Sequence, residues 1–428
     1  MAPSILFLGF LALMLLGAPL AVALGLAGTL SIMEANLGIL SVPTNVYAGI
    51  AKYPLLAIPV FILAGLIFER AGVAKQLVTF ASAIVGARNG GLAVVAVLVC
   101  MVMGGISGSG PADAAAVATV MIPSMAKAGY PRAFSASVIA AAAATAILIP
   151  PSVAFIIYSV MVPQASVPAL FAAGLIPGIL AGLSLLAPVV WLSRRHGFGL
   201  ADTGPRPPFW RSLRQAVWGL LAPVIILGGL RTGAFTPTEA AAVAVFYGLL
   251  VGTVVYRTLT LRALFDVLAD AAEMSAVVLL IIALSSVFAW AGSTMGAFDA
   301  VADAAVHATG NEVLILLLLN IALLGLGMLL DAVSIFLILL PLLTPIMAAF
   351  HWDPVWFGVM ITMNLAIGQF TPPMAVNLMV TCRVAGIAME STVGWVLWMV
   401  GAMLGALALV VVFPELALWV PRQLGYVG

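Results

Sequence analysis

Apolar residues run through this chain in long blocks, and what varies is how the blocks end. Those near 4–32, 168–193, 238–256, 312–330 and 394–413 are long enough for a bilayer crossing, which takes about 20 residues. Others stop short: 134–149 runs into "PPS", and 355–370 runs into "TPP". Glycine (41) and proline (26) interrupt many of the blocks. In lipid a broken helix strands N–H and C=O groups, so it survives only inside protein or beside a water-filled cavity. The pattern predicts an all-α polytopic membrane protein whose interrupted helices serve a pathway.

Composition sharpens that expectation. Of 428 residues 64% are hydrophobic and only 7% charged, with a mean hydropathy of +1.26. No soluble domain hides that much apolar surface behind so little charge. The formal net charge of +1 gives no footprint for nucleic acid. Cys100 and Cys382 stand in apolar surroundings without metal-ligand spacing and read as core residues. His196, His307 and His351 lie far apart and suggest no shared centre. The opening "MAPSILFLGFLALMLLGAPLAVALG" lacks a basic start and stays apolar past its "AVA", so it reads as a first membrane span and not as a cleaved leader.

One polar stretch divides the chain nearly in half. "RRHGFGLADTGPRPPFWRSLR" carries Arg194, Arg195, Arg206, Arg211 and Arg214 against a single acid, Asp202. The positive-inside rule places it in the cytoplasm. The expected division is a first repeat at 1–193, a basic linker at 194–214 and a second repeat at 215–428. Landmarks recur across the linker. Pro150–Pro151 of "IPPSVAF" and Pro372–Pro373 of "TPPMAVN" are 222 apart, as are Pro123 and Pro345, Met125 and Met347, and Gly105 and Gly327. The same shift carries Ser109 onto Asp331, while "FERAG" and "FAWAG" match at an offset of 220. Repeats of this kind in membrane proteins are usually inverted, with a site where broken helices of both halves meet near the midplane.

The chemistry concentrates at the breaks. "GGISGSGPADAAA" (104–116) puts glycines, two hydroxyls and Asp113 inside an apolar region, where an ionisable group is expensive and usually functional. Ser107 and Ser109, with carbonyls of the neighbouring glycines and of the segment before Pro150, form one candidate oxygen cage for a hard cation. Gly327, Asp331, Gly368 and Thr371 form another. Half-helix N-termini beside the breaks suit an anion such as a carboxylate. The plainer reading is that small residues there merely let helices approach closely; the repeat and the two aspartates weigh against it. Glu239 in "TPTEAAAV" reads as a helix-start acid capped by Thr236 or Thr238. Glu69, Arg70 and Lys75 mark a membrane boundary, and Trp352, Trp356, Trp395 and Trp398 read as interfacial anchors.

"GGISGSGPADAAAVATVMIPSMAKAGY", "ILIPPSVAFIIY", "GAFTPTEAAAVAVFYGLLVG" and "IGQFTPPMAVNLMV" together resemble the large membrane subunit of tripartite ATP-independent periplasmic (TRAP) transporters, from about residue 5 to about residue 415. The resemblance implies a sodium-coupled importer of organic acids in the bacterial inner membrane, built as two inverted repeats with re-entrant hairpins, of the elevator type. It implies two partners, a separate small four-helix membrane subunit and a periplasmic substrate-binding protein. Carried over by residue, the first sodium site uses Ser107, Ser109 and backbone from Ala144 through Ile147 to Pro150. The second uses Gly327, Gly368, Thr371 and the carbonyl of Met374, with Asp113 and Asp331 near the site and important for coupling. At 143–146 the chain reads "AATA" where family members often carry glycine.

An enzyme is not expected, because no nucleophile–base pair or metal cluster is visible, and no organic cofactor or nucleotide loop appears. A passive channel or a proton-coupled subunit is the competing reading, since broken re-entrant helices serve channels too. C4-dicarboxylates, sialic acids and related carboxylates are the open substrate classes.

Overall fold

A computed structural model describes residues 2–85, 88–199, 207–309 and 311–427. No strand occurs among them. In chain order the helices are α1 (Ile5–Leu15), α2 (Leu20–Glu34), α3 (Ser41–Ile50), α4 (Tyr53–Arg70), α5 (Val73–Val85), α6 (Gly91–Ser107), α7 (Gly110–Lys127), α8 (Arg132–Ile147), α9 (Val153–Met161) and α10 (Val167–His196). The second half supplies α11 (Phe209–Arg231), α12 (Pro237–Val255), α13 (Leu261–Thr294), α14 (Ala297–Thr309), α15 (Glu312–Gly327), α16 (Ala332–Ala349), α17 (Pro354–Gly368), α18 (Val376–Ala385), α19 (Met389–Val412) and α20 (Glu415–Gln423). Among the described residues seven helices are long and apolar enough to cross a membrane: α4, α10, α11, α12, α13, α16 and α19. The protein is an all-α, multi-pass membrane protein.

Several boundaries differ from the sequence pattern. The apolar block 4–32 is two helices, because Gly17 takes the left-handed conformation (φ 81°) and Pro19 cannot continue α1. The block at 312–330 stops as a helix at Gly327. Helix α13, the longest, is missing from the expected blocks although 274–292 is an unbroken apolar run; Arg262, Asp266, Asp270 and Glu273 occupy the turns that extend it toward its start. The stretch 194–214 is largely helical at both ends: Arg194 and Arg195 belong to the last turn of α10, and Arg211 and Arg214 to the first turns of α11. Asp202 and Arg206 lie outside the described residues. Trp352 and Trp356 are buried, not interfacial; their indole N–H groups donate to Glu312 Oε1 (2.7 Å) and to the Val410 carbonyl (2.9 Å). Trp398 is exposed, as an anchor should be.

Two local expectations hold. Both cysteines are buried. Thr236 caps α12 in a reciprocal capping box: its hydroxyl accepts from the Glu239 N–H, and the Glu239 carboxylate accepts from the Thr236 N–H at 2.8 Å. Helix boundaries keep one spacing across the halves: α7 and α16 start at 110 and 332 and end at 127 and 349, while α8 and α17 start at 132 and 354, each 222 apart.

Packing threads the halves through one another. Helix α13 lies on α2, α3 and α4, close enough at Gly28 that a Cβ there would sit 3.0 Å from the Phe288 nitrogen. Helix α10 packs on α17, α19 and α20, and α18 packs on α7 and α8. Tyr158 of α9 donates to the Pro354 carbonyl at 2.7 Å, and Arg132 of α8 donates to the Ala385 carbonyl at 3.2 Å. A small separate core gathers Leu6, Leu24, Phe288 and Phe298 from α1, α2, α13 and α14.

Candidate functional site

Two helical hairpins face the two Pro–Pro breaks. The first is α6–α7, turned by Gly108 and Ser109; the second is α15–α16, turned by 328–331. Gly108 has φ 62°, and a Cβ on it would lie 2.3 Å from the Pro151 carbonyl oxygen. Only glycine satisfies both the left-handed backbone and that contact. The tip therefore rests directly on the Pro150–Pro151 segment that separates α8 from α9. One step back, a Cβ on Gly104 would stand 2.6 Å from the Ala146 Cα. The glycine lacking in "AATA" is supplied from the opposite side of the crossing. The mirror arrangement holds in the second half, where a Cβ on Gly368 would lie 2.5 Å from Gly327.

A cavity of about 200 Å³ opens between the tips and helices α4 and α13. Ser107, Ser109, Ile147 and Asp331, all expected from sequence, line it. So do first-turn residues of both returning helices, Gly110 to Ala112 of α7 and Ala332 and Val333 of α16. Two helix N-termini thus face one space, and among the described residues no lysine or arginine lines it. They differ in state. On α16 Asp331 is the N-cap: its Oδ2 accepts from the N–H groups of Val333 (3.1 Å) and Ser334 (3.3 Å), and its Oδ1 accepts from the Ser334 hydroxyl. On α7 the N-cap Ser109 makes no capping bond. The first helical bond runs from the Asp113 N–H to the Ser109 carbonyl, so the N–H groups of Gly110 and Ala112 stand ahead of the helical ladder.

Asp113 does not reach the cavity lining but stands behind it, 1% exposed. The Ser107 hydroxyl donates to its Oδ1 at 2.7 Å and accepts the Ser109 N–H at 3.2 Å. Its Oδ2 is buried with no hydrogen-bond partner. Two more buried acceptors are in the same condition nearby, Gln369 Oε1 and Asn377 Oδ1. A Cβ on Gly110 would sit 2.6 Å from the first and 3.0 Å from the second. Buried acceptors without donors are rare in native proteins and call for a ligand, ion or water. Three of them gather around the start of α7. Sequence reasoning named Asp113 and missed Gln369 and Asn377; both flank the "TPP" break, and that proximity was the available signal.

The remaining expected residues fall at the two crossings and not on the cavity wall. Ala144 and Pro150 belong to the first crossing, where both are buried. Gly327, Gly368 and Thr371 gather at the second, with the Thr371 hydroxyl donating to the Ile367 carbonyl at 2.6 Å. Met374 turns an exposed side chain outward. Its neighbour Ala375 has φ 25°, a strained value for a residue with a Cβ, and is clamped by its N–H to the Met328 carbonyl (3.2 Å). Both Pro–Pro bonds at the breaks are cis.

Comparison with known proteins agrees with this architecture. The family described as "Tripartite ATP-independent periplasmic transporter, DctM component" matches residues 7–416. The C4-dicarboxylate TRAP transporter large permease protein DctM of Rhodobacter capsulatus is 37% identical, covering 99% of this chain and 100% of its own. The sialic acid TRAP transporter large permease protein SiaM of Vibrio cholerae is 37% identical with 98% of each covered. An isethionate TRAP transporter permease protein, DctMQ of Oleidesulfovibrio alaskensis, is 38% identical over 96% of this chain, which spans 65% of that longer protein. Among solved structures the YdaH transporter of Alcanivorax borkumensis shares the fold, with a TM-score of 0.65 over 90% of this chain and 89% of its own at 15% identity. The chain is a permease and not an enzyme, sits in the bacterial inner membrane, and belongs to the DctM family, the large membrane subunits of TRAP transporters.

Proposed function

We propose that this permease imports a small organic acid, coupled to sodium and delivered by a periplasmic binding protein, together with a small four-helix membrane subunit. The observation that carries the reading is the cavity at which both hairpin tips meet. An organic anion there meets no cationic side chain among the described residues. Its carboxylate is accommodated by the uncapped N–H groups of Gly110 and Ala112 at the positive end of α7. The relatives named for C4-dicarboxylates and sialic acid support an organic acid as cargo.

Sodium is the second cargo. A hard cation takes oxygen ligands, and the crossings offer them: Ser107 and Ser109 with carbonyls between Ala144 and Pro150, and Thr371 with carbonyls of Gly327, Gly368 and Met374. The unpartnered Asp113 oxygen supplies negative charge beside the first set. Energetics favour such coupling: a dicarboxylate entering against about −100 mV costs roughly 4.6 kcal/mol, at about 2.3 per charge, and two Na⁺ cancel it. In this scheme the two halves are inverted repeats, and the hairpins with their broken partners move as one body past a frame containing α4 and α13.

The test is uptake of a radiolabelled carboxylate panel into proteoliposomes holding this chain and its small partner. It is run with and without an inward Na⁺ gradient and with the binding protein outside. Saturable uptake needing both sodium and the binding protein is the expected result. Uptake that follows a proton gradient and ignores sodium overturns the cation assignments, and unsaturable flux without the binding protein establishes a channel.

A further inference from the structure

A second cavity, of about 530 Å³, lies at the opposite kind of place, the rim of the helices, between α5, α11 and the end of α12. Gln76, Arg211, Arg214, Gln215 and Trp218 line it. Neither guanidinium has an ion pair or hydrogen bond to another described residue; the one ion pair among those residues joins Arg422 to Glu415. Arg211 and Arg214 are three apart, so they share a helix face and repel each other. They also stand at the positive end of α11, whose first turn has no acid and whose N-cap, Pro208, supplies no capping side chain. Three positive contributions, unmatched among the described residues, converge on an open cavity, with the carboxamides of Gln76 and Gln215 at hand as neutral donors.

The rest of that helix face says which anion. Following Arg211 and Arg214 at helical spacing come Trp218, then Leu221 and Val224, the last two exposed outward. The order down the face is charge, amphipathic ring, aliphatic surface, which is the polarity profile of a phospholipid from phosphate to acyl chain. Phe209 and Trp210, both exposed, add aromatic rings at headgroup depth. The end of the molecule is fixed by two bonds. Tyr256 donates to the Gln215 carbonyl at 2.5 Å, and Thr258 donates to the Ala71 carbonyl at 3.0 Å, so Arg70 and Arg257, their chain neighbours, lie at the same end. The positive-inside rule makes this the cytoplasmic end, where the leaflet is anionic.

We propose that this cavity binds an anionic phospholipid of the cytoplasmic leaflet, its phosphate held by Arg211 and Arg214 and its chain along Leu221 and Val224. A free phosphate would satisfy the arginines and leave the aliphatic track without a role. The test uses the purified full chain in mixed micelles of phosphatidylglycerol and phosphatidylcholine, with retained lipid counted by native mass spectrometry. Wild type should retain phosphatidylglycerol over phosphatidylcholine by on the order of tenfold, and the double variant Arg211→Gln/Arg214→Gln should lose the preference. Arg211→Lys/Arg214→Lys should keep most of it, and Val224→Asn should weaken retention of both lipids alike. Equal retention of the two lipids by wild type, or unchanged preference in the double Gln variant, overturns the proposal. So does thermal stabilisation by inorganic phosphate equal to that by phosphatidylglycerol, which would make the cavity a soluble-anion site. Displacement of phosphatidylglycerol by the small membrane subunit also overturns it, in favour of a protein contact.

Discussion

At the first hairpin tip the acid, Asp113, sits inside α7, held on one oxygen by Ser107 and left bare on the other. At the second, Asp331 precedes α16 and its carboxylate accepts from two backbone N–H groups and a hydroxyl. The helices behind the tips begin 222 residues apart, so the backbone register is shared while the chemistry is not. A carboxylate that caps its own helix neutralises the N-terminus it sits on. One displaced into the helix leaves the N-terminus open and keeps an oxygen in reserve. The first tip therefore keeps an open helix N-terminus and a bare carboxylate oxygen, and the second keeps neither.

The largest expected effect comes from forcing the first tip to resemble the second. Position 108 corresponds to Leu330 at the common spacing. Gly108→Ala demands a left-handed alanine against the Pro151 carbonyl and should abolish uptake, whereas Leu330→Ala should leave most of it, as measured in proteoliposomes. Next is Asp113→Asn, which can still accept from Ser107 but carries no charge. It should weaken the apparent Na⁺ affinity on the order of tenfold to a hundredfold, about 1.5–3 kcal/mol for a lost charged contact, with little change in melting temperature. Unchanged sodium dependence in that variant would make the asymmetry of the tips structural only. Asp331→Ala should show the reverse balance: a loss of about 1 kcal/mol from the missing cap, seen as a lower melting temperature, and a smaller change in sodium affinity. The smallest effect belongs to Asp331→Asn. Asparagine caps about as well as aspartate, so stability should move by no more than a few tenths of a kcal/mol. Full loss of uptake there would assign the second carboxylate a cargo-binding role that its hydrogen bonds do not suggest.

Much of this is legible in the sequence alone. Proline and glycine spacing located both breaks, because those residues act on the backbone locally, and the Thr236–Glu239 box could be read from "TPTE" for the same reason. What local pattern could not give was the partner across a crossing. Nothing in "AATA" says that Gly104 backs it, and Gln369 and Asn377 became conspicuous only once Gly110 was seen against them. The burial of Trp352 and Trp356 is likewise a tertiary fact, since an indole N–H that finds Glu312 or a carbonyl is free to leave the interface. Helix α13 carries an uncharged apolar run at 274–292, so its span is legible; its charged first turns are helical only because they continue that run.

The threading of the halves has a consequence in time. Ala140 of α8 receives a hydrogen bond from Asn377, Arg132 holds the Ala385 carbonyl, and α2 to α4 await α13. Each of those partners is made long after the segment it completes; the two Pro–Pro breaks alone are separated by 222 residues. At about 5–20 residues per second, a half-built permease spends roughly 10–45 seconds with its first break made and its second still to come. The insertion machinery or the growing chain must shelter that unfinished surface, and biogenesis, as much as transport, constrains what can stand at the tips.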